Sequence, residues 1–126
     1  MCKSYNYFFK KDMLIKKEEA QEFSIPGGTE GVLYPSSPSG DQTIAYVKMD
    51  GVYPEKGYSI NDVCTESIFL VAGSVEVELD GKWNVLEEGD VCLIFPGNKY
   101  RMRGNGKALD LITPAWDKNQ NHIIIE

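Results

Sequence analysis

The sequence predicts an all-β fold, an antiparallel sandwich or barrel, on three observations. Short apolar runs recur at intervals of roughly ten residues, with Gly, Pro, Asn, Asp and Ser clustered between them. The stretch from Val75 to Asp80 alternates apolar and acidic residues with a period of two, the spacing of a half-buried strand. From Ile25 onward the punctuation is that of a sandwich or barrel, not of helices.

Taken in order, residues 1–24 are a mixed, charged lead-in with a short helical or extended piece around Lys16 to Gln21. Ile25, Pro26, Gly27 and Gly28 open the punctuated region, and Pro35 to Gly40 is a loop by composition. Thr43 to Met49 reads as a strand, with Ile44, Tyr46 and Lys48 on one face, and Ser67 to Ala72 as a mostly buried strand with apolar residues on both faces. Gly73 and Ser74 are expected to turn the chain. Val75, Val77 and Leu79 then face the core, and Glu76 and Glu78 the solvent. Asp80-Gly81 is a type I′ hairpin signal, and Trp83, Val85 and Leu86 begin the return strand. Glu88 to Asp90 forms a tight turn before Val91 to Phe95, a run that Pro96-Gly97 stops. Two further short strands are expected at Lys99 to Arg103 and Ala108 to Thr113, then a Pro114 to Trp116 segment and a last strand at His122 to Ile125.

A chain of 126 residues is most simply one domain, 1–126, able to bury about two-thirds of the surface its unfolded form exposes. Thirteen basic against nineteen acidic residues give a net charge of −6. With Lys and Arg nowhere concentrated, a nucleic-acid partner is not expected. There is no signal-peptide pattern at the N-terminus and no run of 18 apolar residues, so no membrane partner and a cytoplasmic location are expected. Three cysteines, Cys2, Cys64 and Cys92, make no disulfide framework and fit a reducing compartment.

Two blocks carry the strongest spacing signal. The first runs from Gly57 to Gly73 and has six residues between Glu66 and Gly73. The second reads Gly89-Asp90, five apolar residues, Pro96-Gly97, then Tyr100 and Asn105. Together they resemble the cupin family. Its first motif is Gly, a spacer, His-x-His, Glu, six residues and Gly, and its second is Gly-Asp, an apolar run, Pro-Gly, His and Asn. The resemblance is at motif strength from Gly57 to Asn105 and weaker across 43–116, the expected barrel core. It implies a double-stranded β-helix, a jelly-roll barrel with a ligand-sized cavity between its sheets.

In that family the Glu and three His hold iron, manganese, nickel or zinc. Here the His-x-His slot falls on Ile60 and Asp62, or on Ser59 and Asn61, and the second-motif His on Tyr100. Of the four ligands only Glu66 is in place, and one carboxylate does not hold a first-row ion tightly. No metal and no cofactor are expected. The alternatives are an oxygen-rich site of Asp62, Glu66 and the Tyr100 hydroxyl suited to Mg²⁺, Mn²⁺ or Ca²⁺, and a soft ligand at Cys64, which shares a face with Asp62 and Glu66 if the segment is extended, joined by Cys92. For both cysteines packing is the stronger reading.

Glu66 stands on one strand face with Ile68 and Leu70, so its carboxyl is expected to be desolvated, the condition that raises a carboxyl pKa. Tyr100 and Met102 share the face opposite Arg101 and Arg103. The candidate ligand-binding residues are therefore Asn61, Asp62, Glu66, Tyr100 and Met102, with Glu66 and Tyr100 the candidate acid/base pair. Tyr46, Tyr58, Phe69, Trp83 and Phe95 are core or pocket wall, and Lys48 is a possible charge for an anionic ligand or a solvated side chain. His122, the sole histidine, is too near the C-terminus to serve. The reading is a metal-free cupin-domain protein that binds a small polar, carbohydrate-like molecule. The rivals are a cofactor-free sugar isomerase, epimerase or lyase using Glu66 and Tyr100, a metalloenzyme with substituted ligands, and a filled barrel serving as an interaction scaffold. The apolar C-terminal strand Ile123 to Ile125 would be an exposed edge, and with the family's habit of pairing through its sheets this gives an expected homodimer.

Overall fold

The computed structural model describes residues 12–126; Cys2 and the start of the lead-in lie outside them. Nine strands follow a 3-10 turn at Lys17–Glu19: β1 (Gln21–Ile25), β2 (Thr29–Leu33), β3 (Thr43–Tyr53), β4 (Tyr58–Asn61), β5 (Thr65–Leu79), β6 (Lys82–Glu87), β7 (Val91–Ile94), β8 (Tyr100–Thr113) and β9 (Asn121–Ile124). Every pairing is antiparallel. The sheet runs β1-β2-β3-β8-β4-β9, and β5 joins it along β8 while also carrying β6 and β7. The curled sheet is the jelly-roll barrel that the family resemblance implied.

Two long strands replace four short expected ones. Gly73 and Ser74 do not turn the chain: β5 continues through them with a register shift at Leu70 to Ala72. Gly73 makes this possible. Its φ is +88°, and any Cβ there would collide with the carbonyl oxygen of Asn105 on β8. Likewise Lys99 to Arg103 and Ala108 to Thr113 are parts of one strand, β8, carried across Gly104 to Lys107 by pairing with both β3 and β5. The Asp80-Gly81 turn has the expected type I′ form, with φ of 52° and 75°.

Residues 21–24, counted with the lead-in above, and Ile25 pair with β2 as a hairpin. Its Gly27-Gly28 turn lies against β3, where Gly27 and Gly28 accept backbone hydrogen bonds from Val52 and Asp50. The core of Ile68, Leu70, Val75, Val77, Ile94 and Met102 fills one end of the barrel. Each such side chain contributes about 1.5–3 kcal/mol when fully buried. A second small cluster of Ala45, Cys64 and Ile112 closes the other end beneath Trp116. One solvent assignment is corrected here: Glu78 is buried, because Arg101 from β8 closes over it with bonds of 3.1 and 2.9 Å. That guanidinium holds the Glu78 carboxyl below its usual range.

Candidate functional site

The period-two alternation of β3, β5 and β8 sends one set of side chains into the barrel. From β3 these are Ala45, Val47 and Met49, from β5 Glu66, Ile68 and Leu70, and from β8 Tyr100, Met102, Ala108, Asp110 and Ile112. They line a cavity of about 430 Å³ whose walls are mostly apolar. Four polar groups meet in it: Glu66, Tyr100, Tyr53 at the end of β3, and Asp110.

Glu66 is held from behind. Its Oε2 accepts from Tyr100 OH at 2.9 Å and from Asn61 Nδ2 at 2.7 Å. The Asn61 amide has one available orientation, since its Oδ1 already accepts from Gln120 Nε2 and Asn121 Nδ2, both at 2.9 Å. Asn121 also donates to Ser59 Oγ at 2.9 Å, and Ser59 Oγ lies 3.3 Å from Tyr53 OH. Gln120 is fixed in turn, its Oε1 accepting from the backbone N–H groups of Val63 and Cys64. The network ties β4, β5, β9 and the second 3-10 turn, Lys118–Gln120, to one carboxyl.

Asp110 had no place among the expected site residues. It pairs across the sheet with Ile68, while Glu66 pairs with Ile112, so the two acids are diagonal neighbours on the inner face. Only 7% of Asp110 is exposed, and its Oδ1 is buried without a hydrogen-bond partner. Burial, then the nearby Glu66 charge and a side-chain hydrogen bond shared with Glu66, push its pKa well above the ordinary value of 3.8, so it is Oδ1 alone that is left unmet. Burial also raises the phenols of Tyr100 and Tyr53, whose rings stand 6.1 Å apart. Thr29 Oγ1 is a second buried atom without a partner, and it lines the same cavity.

The structure brings together Glu66, Tyr100 and Met102 inside the barrel, with Asn61 buried behind Glu66. It does not bring in Asp62. The chain bends between β4 and β5, turning Asp62 outward to pair with His122 at 2.6 Å on the surface. The same bend breaks the supposed common face of Asp62, Cys64 and Glu66. The Cys64 thiol instead packs at the barrel end, 3.4 Å from the Pro114 carbonyl oxygen. Cys92 is buried in the main core, and desolvation pushes its thiol up to about 11. Lys48 and Tyr46 lie on the outer face of β3, away from the cavity.

These side chains do not fit the family's metal. The only imidazole is on the outside. Ser59 and Asn61 are committed to hydrogen bonds, and among the described residues no three His, Cys, Asp or Glu side chains are placed to share an ion. Lys118 is the one basic residue among those described around the cavity, so the interior is acidic.

No family model and no curated protein matches the chain. Solved structures do. The Streptomyces nucleoside dehydratase Pac13 superposes with a TM-score of 0.79 at 14% identity, covering 92% of this chain and 95% of its own. That enzyme has also been solved with uridine in variants replacing a tyrosine by phenylalanine or a histidine by glutamine. KdgF from a Halomonas species matches at 0.69 and 20% identity, over 86% of this chain and 99% of that one. An RmlC-like cupin from Shewanella frigidimarina matches at 0.69 and 18%, over 86% and 96%. The likeness is one of fold.

Proposed function

We propose that this chain, a cupin-fold barrel, binds one small organic molecule in its cavity, and that the molecule presents a hydrogen-bond donor to Asp110 and Glu66. The carrying observation is the buried Asp110 Oδ1 without a partner. An unpaired acceptor in an apolar interior costs about 1–3 kcal/mol, and a ligand hydroxyl, N–H or ammonium would relieve it. The charge of the interior argues for an uncharged or cationic ligand, because an anion would meet two carboxyl groups and no buried cation. The apolar walls argue for a body such as a base, an aryl group or an alkyl chain. A free sugar would leave most of its hydroxyls unpaired against those walls. Thr29 offers a second polar anchor: it pairs with Met49 as Asp110 pairs with Ala45, four residues away along β3, or roughly 13 Å of strand.

The test is calorimetric titration with three molecules on one skeleton, 2-phenylethanol, 2-phenylethylamine and phenylacetate, together with uridine. The alcohol or the amine should bind and the acid should not, with binding lost in Asp110→Leu. Equal binding of phenylacetate, or affinity unchanged in the variant, would overturn the reading.

A second reading is favoured by the carboxyl pair itself. One acid with a raised pKa beside another that accepts two hydrogen bonds is an arrangement for passing a proton. Glu66 would take a proton from the substrate and Asp110 or Tyr100 would return one, as in an elimination or isomerisation. The dehydratase of like fold supports this class. Glu66→Gln should then fold and bind but turn over no substrate, and full turnover by that variant would end the idea.

A further inference from the structure

We infer that the cavity is built for a primary or secondary amine with a single positive charge, bound as its ammonium form with Glu66 as counterion and Asp110 Oδ1 as hydrogen-bond acceptor. The inference rests on the reading of the cavity as a ligand site, and narrows the ligand from an uncharged or cationic molecule to a monocation.

Two carboxyl groups that share a hydrogen bond hold a proton between them, because a carboxylate has acceptors only. Glu66 and Asp110 are such a pair, 6% and 7% exposed on the inner face of β5 and β8. Their surroundings decide which of the two keeps the proton. Glu66 Oε2 accepts from Tyr100 OH at 2.9 Å and from Asn61 Nδ2 at 2.7 Å, and two donors favour a carboxylate. Asp110 Oδ1 meets no donor, so Asp110 is the acid that supplies the shared proton. The pair therefore carries one negative charge and not two.

That charge has no partner inside the barrel. Among the described residues neither acid forms an ion pair: Lys118 is exposed and bonded to neither, and Arg101 and Arg103 are committed to Glu78 and Glu76 on the outer face. Tyr100 and Asn61 are neutral donors, which hold the carboxylate without cancelling its charge. Neighbouring groups respond to the same field. After burial, the Glu66 charge is the next cause that raises the phenol of Tyr100 and the thiols of Cys64 and Cys92. A lone buried charge is costly, and a ligand with one positive charge cancels it.

Hydrogen bonding then selects the kind of cation. Asp110 Oδ1 needs an N–H, so a quaternary ammonium would leave it unmet. Tyr53 and Tyr100 line the same cavity with rings 6.1 Å apart, and aromatic faces attract a cation. Val47, Met49, Ile68 and Leu70 suit an apolar body on the nitrogen. Outside the barrel, a net charge of −6 raises the concentration of cations near the surface.

The test is calorimetric titration near neutral pH with 2-phenylethylamine, a cation there, with 2-phenylethanol, a neutral donor of the same shape, and with phenethyltrimethylammonium, a cation without an N–H. The amine should bind at least about tenfold more tightly than either, the margin of a charge-assisted over a neutral hydrogen bond. Glu66→Gln should shrink the margin over the alcohol to about twofold or less. Asp110→Asn keeps an acceptor at Oδ1 and a donor toward Glu66, and should still favour the amine about tenfold. Equal affinity of the wild type for amine and alcohol would overturn the inference and leave the ligand site standing, whereas binding of neither would overturn both. A quaternary ligand that matches the amine, a preference that survives Glu66→Gln, or one lost in Asp110→Asn would each overturn it as well. Circular dichroism reports whether each variant is folded, and the wild-type comparison decides alone if Glu66→Gln is not.

Discussion

Asn61 Nδ2 donates to Glu66 Oε2 across 2.7 Å, and the two donors on Asn61 Oδ1 leave that amide no other orientation. The expected consequence is structural before it is functional. Asn61→Ala should lower unfolding free energy by about 1–3 kcal/mol, the penalty of leaving buried partners unmet. Asn61→Asp should cost more, since it faces Glu66 with a second carboxyl. Urea titrations decide it, and a loss below about 0.5 kcal/mol for the alanine would mean that the network contributes little.

Asp110 links stability to pH. Its folded pKa is raised, so above the ordinary value of 3.8 the native state holds a proton that the unfolded chain has released. Stability from this group is fully present below that value and falls as pH rises toward the folded pKa. Asp110→Asn has no proton to lose. Its melting temperature should gain on the wild type as pH goes from about 4 to 8, and parallel curves for the two proteins would contradict the assignment.

The thiol of Cys92 is both buried and shifted up to about 11. Since the thiolate is the reactive form, iodoacetamide near neutral pH should leave Cys92 unlabelled in native protein and label it after denaturation. Peptide mass mapping reads this directly. Rapid native labelling at Cys92 would mean that the core opens there.

Gly73 is the point where β5 passes from one half of the barrel to the other. Gly73→Ala combines a left-handed φ with a collision against the Asn105 carbonyl. It should destabilise by more than the ~1 kcal/mol that an alanine ordinarily costs when φ is positive. Gly81→Ala is the control, since Gly81 has a similar φ and open space around it. Equal losses in the two variants would show that the close approach at Gly73 is unimportant.

The barrel was legible in the sequence because its signals are local. The Asp80-Gly81 turn, the stop at Pro96-Gly97 and the Glu66-to-Gly73 spacing each act over a few residues. Asp110 was hidden by a long-range effect. Splitting β8 into two strands loses the parity that runs unbroken from Tyr100 through Met102 to Asp110. Carried across Gly104 to Lys107, that parity would have turned Asp110 inward and Leu109 and Leu111 outward. Asp62 was misplaced for a related reason: a bend after Asn61 reverses the face on which the next residues stand, and Asp62-Val63 carries no Gly or Pro to announce it. The hairpin of β1 and β2 was missed because its apolar residues are few and it is braced by backbone bonds to β3.

β8 has a place in the order of events as well as in space. It pairs along most of its length with β3 on one side and β5 on the other, yet it begins only at Tyr100. A nascent chain ending before that residue has both flanking strands and nothing between them, so the barrel cannot close until β8 has been made. The pairings that close it join residues many tens of positions apart, the kind of topology that folds in milliseconds to seconds rather than microseconds. Until β8 arrives, the apolar strands β5 and β7 are exposed on both faces, and that interval is when this chain is most exposed to aggregation.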